Sequence, residues 1–143
     1  MKNFCEADVR CWVRDHWPGW VEFYEAAHGG SPGVPDVQFM LNGLLLPAEL
    51  KVGTLRDGFV LPKRVRPAQV GWHMRFAAAG GTSLILIGVQ IIDYICVMII
   101  PGTLANEWRV GYEITKENKM ISSSMFRYSI SKEFEKLSKR ISL

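Results

Sequence analysis

The stretch from Val34 to Lys51 constrains this chain more than any other. Asn42-Gly43 sits between two runs of alternating residues, and that dipeptide readily takes the left-handed conformations of a two-residue type I′ hairpin turn. With that turn Leu41 faces Leu44, and the register then places Val37 opposite Ala48 and Asp36 opposite Glu49. Side chains alternate between the faces of a strand, so Lys51 lies on the same face as Glu49. Val37, Phe39, Leu41, Leu44, Leu46, Ala48 and Leu50 form the opposite, wholly apolar face. One face makes core, and the other gathers two carboxylates and an amine. Pro47 falls opposite Gln38 at a non-hydrogen-bonded pair, so this hairpin tolerates its missing donor, but a gap is left towards any strand on its other side. A bulge at that point would shift the register.

Two carboxylates facing each other across neighbouring strands repel unless a cation lies near both. Asp36 and Glu49 are therefore candidate ligands for Mg²⁺, with the main-chain carbonyl of Leu50 as a further one. Hydrolysis of a phosphodiester needs an activated water, a neutralised phosphate and help for the leaving oxygen, and such an ion supplies all three. Lys51 is placed to orient the water or to stabilise charge on the phosphate as it reacts.

The charge distribution suits a phosphate partner. Residues 1–50 hold three Lys/Arg and seven Asp/Glu, whereas residues 51–75 hold six basic groups against Asp57 alone. Within the basic stretch Lys63, Arg64 and Arg66 are candidate DNA-phosphate contacts. Cys5, Cys11 and Cys96 are too scattered for a disulfide framework, and isolated His16, His28 and His73 argue against structural zinc. There is no signal-peptide pattern, and the apolar run Leu84–Ile100 is interrupted by Gln90, Asp93 and Tyr94, so two buried strands fit it better than a membrane span. An intracellular, reduced protein with no membrane partner is expected.

The remaining elements follow from periodicity and breakers. Cys5, Val9, Trp12, Val13 and His16 recur with helical spacing after Asn3, which can form a capping box with Glu6. Trp20–Ala26 reads as a strand, 28–33 as a loop, and 53–62 as a second loop. Pro67 opens a helix that runs to Ala79 before Gly80-Gly81, and strands follow at 83–89 and 92–100. Beyond Pro101-Gly102, a strand is expected over 108–114, a polar loop over 116–124 and a short basic helix over 131–141.

Taken together, Gly33-Val34-Pro35-Asp36, Glu49-Leu50-Lys51, Pro67-Ala68-Gln69 and Ala79-Gly80-Gly81 before an apolar strand resemble the VRR-NUC branch of the PD-(D/E)xK nucleases, which is similar to Holliday-junction resolvases. The resemblance covers about residues 1–100. It implies an α/β, restriction-endonuclease-like αβββαβ core with a mixed central sheet, binding of Mg²⁺ or Mn²⁺, and cutting of DNA. It implies that Asp36 and Glu49 are metal ligands, Lys51 the catalytic lysine and Gln69 a glutamine near the site. Glu6 would be the acid of the first helix, with Glu22 or Glu25 as substitutes. Residues 101–143 have no counterpart and are expected to be an extension packed on the core or on a second subunit.

A separate domain for reading sequence is not expected, so branched DNA recognised by shape is the expected substrate. A C2 homodimer would nick opposing strands of a four-way junction, and the tail offers Trp108, Tyr112, Met125, Phe126 and Phe134 as apolar groups for a second chain or for its own sheet. An exonuclease or flap-type nuclease of the same fold is the alternative, and a non-catalytic DNA-binding subunit is the alternative of another class.

Overall fold

The computed structural model describes residues 3–17, 19–24 and 33–141. Glu25 and residues 28–32 of the first expected loop lie outside them. Helix α1 (Glu6–His16) precedes strands β1 (Trp20–Phe23), β2 (Val37–Leu41), β3 (Leu44–Arg56) and β4 (Phe59–Pro62). Helix α2 (Pro67–Ala78), β5 (Leu84–Ile91), β6 (Tyr94–Pro101), a 3₁₀ segment (Gly102–Glu107), β7 (Tyr112–Glu113), β8 (Met120–Ile121) and α3 (Ser123–Ile141) complete the order.

The sheet is mixed, with strands ordered β1-β2-β3-β5-β6-β8, and β4 pairs with β3 and β7 to one side. β1, β2 and β3 are antiparallel, and α2 carries the chain across so that β5 runs parallel to β3. This is the αβββαβ core with a mixed central sheet that the sequence leads one to expect. The Asn42-Gly43 turn has both residues at positive φ, and the register is Leu41 to Leu44 through Val37 to Ala48. β5 joins β3 from Ala48 onward, one residue past Pro47, so the proline's missing donor is never needed.

Three expectations are corrected. Residues 53–62 are not a loop: β3 continues to Arg56, and Asp57-Gly58, both at positive φ, turn it into β4. The cap of α1 is Cys5, whose N–H donates to Asp8 Oδ2 at 2.9 Å, which replaces the expected Asn3/Glu6 box. Beyond Pro101 the strand shrinks to Tyr112–Glu113, residues 120–121 form a strand paired with β6, and the last helix starts at Ser123.

α1 and α3 cover one face of the sheet, where Val9, Trp12 and Val13 meet Phe39, Leu50 and Leu86 from the strands and Phe126, Ile130 and Phe134 from α3. Trp12 and Phe126 pack edge to face at 4.9 Å between centroids. Each such ring removed from water contributes about 1.5–3 kcal/mol. Phe126 and Phe134, two groups suggested for a second chain, are thus used inside this one. α2 and the 3₁₀ segment cover the other face, over Ile85, Ile87, Met98 and Ile100. No helix among the described residues is long and apolar enough to cross a membrane, and the apolar run 84–100 forms the hairpin of β5 and β6.

That hairpin turns on Ile92, which has φ 53 and is 83% exposed. A β-branched residue is strained there and loses no packing if replaced. Ile92→Asn is therefore expected to stabilise the protein by about 0.5–1 kcal/mol. A thermal melt checks this, and a lower midpoint would contradict it.

Candidate active site

The candidate site lies where β3 changes partners. Its pairing with β2 ends at Ala48, and its pairing with β4 begins at Gly53. Over Glu49–Val52 only β5 is hydrogen-bonded to it as a strand, which leaves its other edge open to side chains. Asp36 fills part of that edge. It lies one residue before β2, its carbonyl accepts from Tyr24 N at 2.8 Å, and its Oδ2 accepts from Leu50 N at 3.0 Å. The expected facing of Asp36 and Glu49 is therefore made by side chains just past the end of the regular ladder. The N–H and C=O of one strand residue point the same way, so the Leu50 carbonyl is also directed to the Asp36 edge.

Glu49 is 1% exposed and Lys51 5% exposed, on the face they share with their β5 partners Ile85 and Ile87. Glu49 Oε1 takes two contacts, from Gln69 Nε2 and, at 3.3 Å, from Lys51 Nζ. Glu49 Oε2 is buried, and no N–H group or hydroxyl of another residue donates to it. Burial first, then the charge of Asp36 and a hydrogen bond with it, push the Glu49 pKa up to about 8 against the opposing pull of Lys51.

Gln69 reaches Glu49 because α2 begins two residues earlier at Pro67, which needs no N–H partner in the first turn. Its Oε1 accepts from Arg66 N at 2.9 Å, so the same amide caps the helix and clamps the carboxylate. Glu6, at the start of α1, is half-exposed, and its Oε1 is 3.8 Å from Lys51 Nζ. The helix acid thus stands beside the lysine. Glu22 is exposed on β1 opposite Gln38, one same-face row from the Asp36/Glu49 pair. Lys63, Arg64 and Arg66 are exposed on the segment that enters α2.

One residue that sequence reasoning passed over proves close to this geometry. Gly33 has φ +88, and a Cβ there would lie 2.1 Å from the main-chain oxygen of Ala68 and 2.9 Å from the nitrogen of Gln69. The loop before Asp36 therefore rests directly on the first turn of α2. A glycine three residues before the aspartate was the available signal.

A divalent cation suits the donor set. Glu49 Oε2 is a buried carboxyl oxygen with no N–H or cationic partner, the Asp36 carboxyl is its neighbour, and both are hard oxygen donors. Among the described residues no three His, Cys, Asp or Glu side chains converge, so further ligands would come from the main chain and water.

No family model matches the chain, and no curated protein matches it. Among solved structures it is similar to Hjc, a Holliday junction resolvase from the archaeal hyperthermophile Archaeoglobus fulgidus. The two share 17% identity over 85% of this chain and 88% of that one, with a TM-score of 0.47.

Proposed function

We propose that the chain is a divalent-metal-dependent DNA endonuclease of the PD-(D/E)xK type, related to the VRR-NUC branch, and that it prefers branched DNA such as the four-way junction. The observation that carries the reading is the buried Glu49 carboxyl, whose Oε2 meets no N–H or cationic donor, set against Asp36 on a strand that also presents Lys51. A charged carboxylate is costly to bury beside a second one, so without a cation Glu49 keeps its proton to about pH 8, and a divalent ion would take that proton's place. Asp36, Glu49 and the Leu50 carbonyl would hold Mg²⁺ or Mn²⁺. Such an ion supplies Lewis acidity, which neutralises the phosphate and lowers the pKa of water.

The chain's own groups do the rest. Gln69 donates to Glu49 Oε1 and so leaves Oε2 as the oxygen available to a cation. Lys51, a donor held between Glu49 and Glu6, orients the attacking water and stabilises charge developing on the phosphate. Glu6 acts on Lys51, as a positioning residue. A purely structural Glu49–Lys51 ion pair would not place a second carboxylate against the buried Glu49.

The proposal includes a homodimer. The cross-strand row Trp20, Met40 and Leu45 stays 49%, 38% and 40% exposed on the functional face of the sheet, and gives an apolar surface for a second copy. Cleavage of labelled four-way junction, flap, duplex and single strand, together with light scattering, tests the whole reading. Junction cut fastest by a dimer is the expected result. A monomer that cuts linear duplex equally fast leaves a general nuclease.

Two expected results concern the surroundings of the site. Neutralising Lys63, Arg64 and Arg66 together should weaken binding to every DNA shape and lower the slope of log affinity against log salt by about 0.9 per lost phosphate contact. An unchanged slope would place them on a passive surface.

The second is a pH dependence of stability without metal. Between the ordinary carboxylate value of 4.5 and about 8, native Glu49 keeps a proton that the unfolded chain has released. The unfolded state then binds fewer protons, so stability is full below that window and falls as pH rises through it. Denaturant midpoints in EDTA near the two ends of the window should show this fall, and Glu49→Gln should flatten it. A wild-type midpoint that rises with pH would contradict the assignment.

A further inference from the structure

A concavity lies on the far side of α2 from Glu49. It has a volume of about 410 Å³ and is walled by Arg64 and Val65, by Val70 and Gly71 of α2, and by Trp108 and Arg109 after the 3₁₀ segment. Gln69 and His73 of the same helix are buried against the sheet, so α2 separates the groove from the proposed site while sharing its first turn with both. The groove combines three kinds of surface. Val65 and Val70 give an apolar wall, and Trp108, half-buried, gives a flat aromatic one. Arg64 and Arg109 are exposed cations, with the Arg109 guanidinium 5.5 Å from the Trp108 ring centroid, and among the described residues no carboxylate lines the groove. The volume suits a small planar group and excludes a duplex.

We infer that this groove holds an unpaired nucleotide of a DNA substrate, its base stacked on Trp108 and its phosphates met by Arg64 and Arg109. The inference rests on the nuclease reading and deepens it: the enzyme would distinguish DNA that carries a single-stranded arm or an opened base from closed duplex. Stacking on an aromatic face works for any base, so this subsite recognises strand state without reading sequence. It also sits on the path from the basic segment 63–66, which leads from the groove into the helix turn that clamps Glu49.

The test is fluorescence anisotropy in EDTA with two labelled probes, a blunt duplex and the same duplex with a single-stranded arm. Trp108→Leu should weaken binding of the arm-bearing probe on the order of 10-fold and leave the blunt duplex nearly unchanged, whereas Trp108→Phe should retain most of the affinity. Arg109→Ala, at an exposed position, should weaken the same probe selectively and guards against a folding defect in the tryptophan variants. Equal affinity of wild type and Trp108→Leu for the arm-bearing probe would overturn the inference, as would an equal loss on both probes. If the wild type binds and cuts DNA while these variants behave like it, the groove assignment alone fails. If the wild type neither binds nor cuts any DNA, the nuclease reading falls and the groove assignment with it.

Discussion

Asp36→Asn, Glu49→Gln and Lys51→Ala are each expected to lower DNA cleavage on the order of 10³-fold or more while the protein stays folded. The three groups touch one another through Glu49, so each loss disables the same unit. Glu49→Gln removes the charge that a cation needs but keeps a side chain that can contact Gln69. Asp36→Asn removes the second carboxylate yet keeps an oxygen that can accept from Leu50 N. Lys51→Ala leaves two carboxylates without their cation, so its cleavage should fall without loss of metal affinity. A double variant should be little worse than the single ones, because groups that act together are strongly non-additive. Turnover near that of the wild type in any single variant, with contaminating nuclease excluded, would remove these residues from the active site.

Gly33→Ala should produce the largest loss of stability at a position with no chemistry of its own. The residue sits at φ +88, which alanine occupies only at a cost, and its new Cβ would meet the main-chain oxygen of Ala68 at 2.1 Å. That obstacle is backbone in the first turn of a helix, so it cannot move aside as a flexible side chain would. The loop must lift from α2, at an expected cost of about 2–4 kcal/mol. The displaced loop carries Asp36, and the helix carries Gln69, so cleavage should drop in whatever fraction remains folded. Chemical denaturation and single-turnover cleavage on the same preparation check the two effects. Gly43, at φ +77 with nothing within 4 Å of a Cβ, is the control: Gly43→Ala should cost stability and leave cleavage intact. Full activity and stability in Gly33→Ala would show that the loop does not position the aspartate.

The centre of the fold was legible because one turn dictates it. Asn42-Gly43 sets the register of β2 on β3, and the register sorts the apolar residues to one face and Glu49 and Lys51 to the other. The same physics is hidden at Asp57-Gly58, because Phe59, Val60 and Leu61 run apolar without alternation and do not display a strand's two faces. The last helix was cut short because Ser122-Ser123-Ser124 resembles a loop, although Phe126, Ile130, Phe134 and Leu137 already repeat with helical spacing. The cap of α1 shifted because an aspartate three residues after Cys5 competes with a glutamate three residues after Asn3. Spacing alone carries no sign of the Gln69–Glu49 contact, since it depends on how the crossover helix lies on the sheet. The resemblance implies a glutamine near the site, but not its contact with Glu49. The close approach of Gly33 to Ala68 depends on the same packing.

The central claim is that the Asp36/Glu49 pair binds a divalent cation and that DNA is cut there. It is tested most directly by incubating a labelled four-way junction with wild-type protein and with Glu49→Gln, each in Mg²⁺, Mn²⁺ or EDTA. The account predicts discrete cleavage products for the wild type with either metal, none in EDTA, and none for Glu49→Gln under any condition. Equal cleavage in EDTA, or by Glu49→Gln with metal, would contradict it.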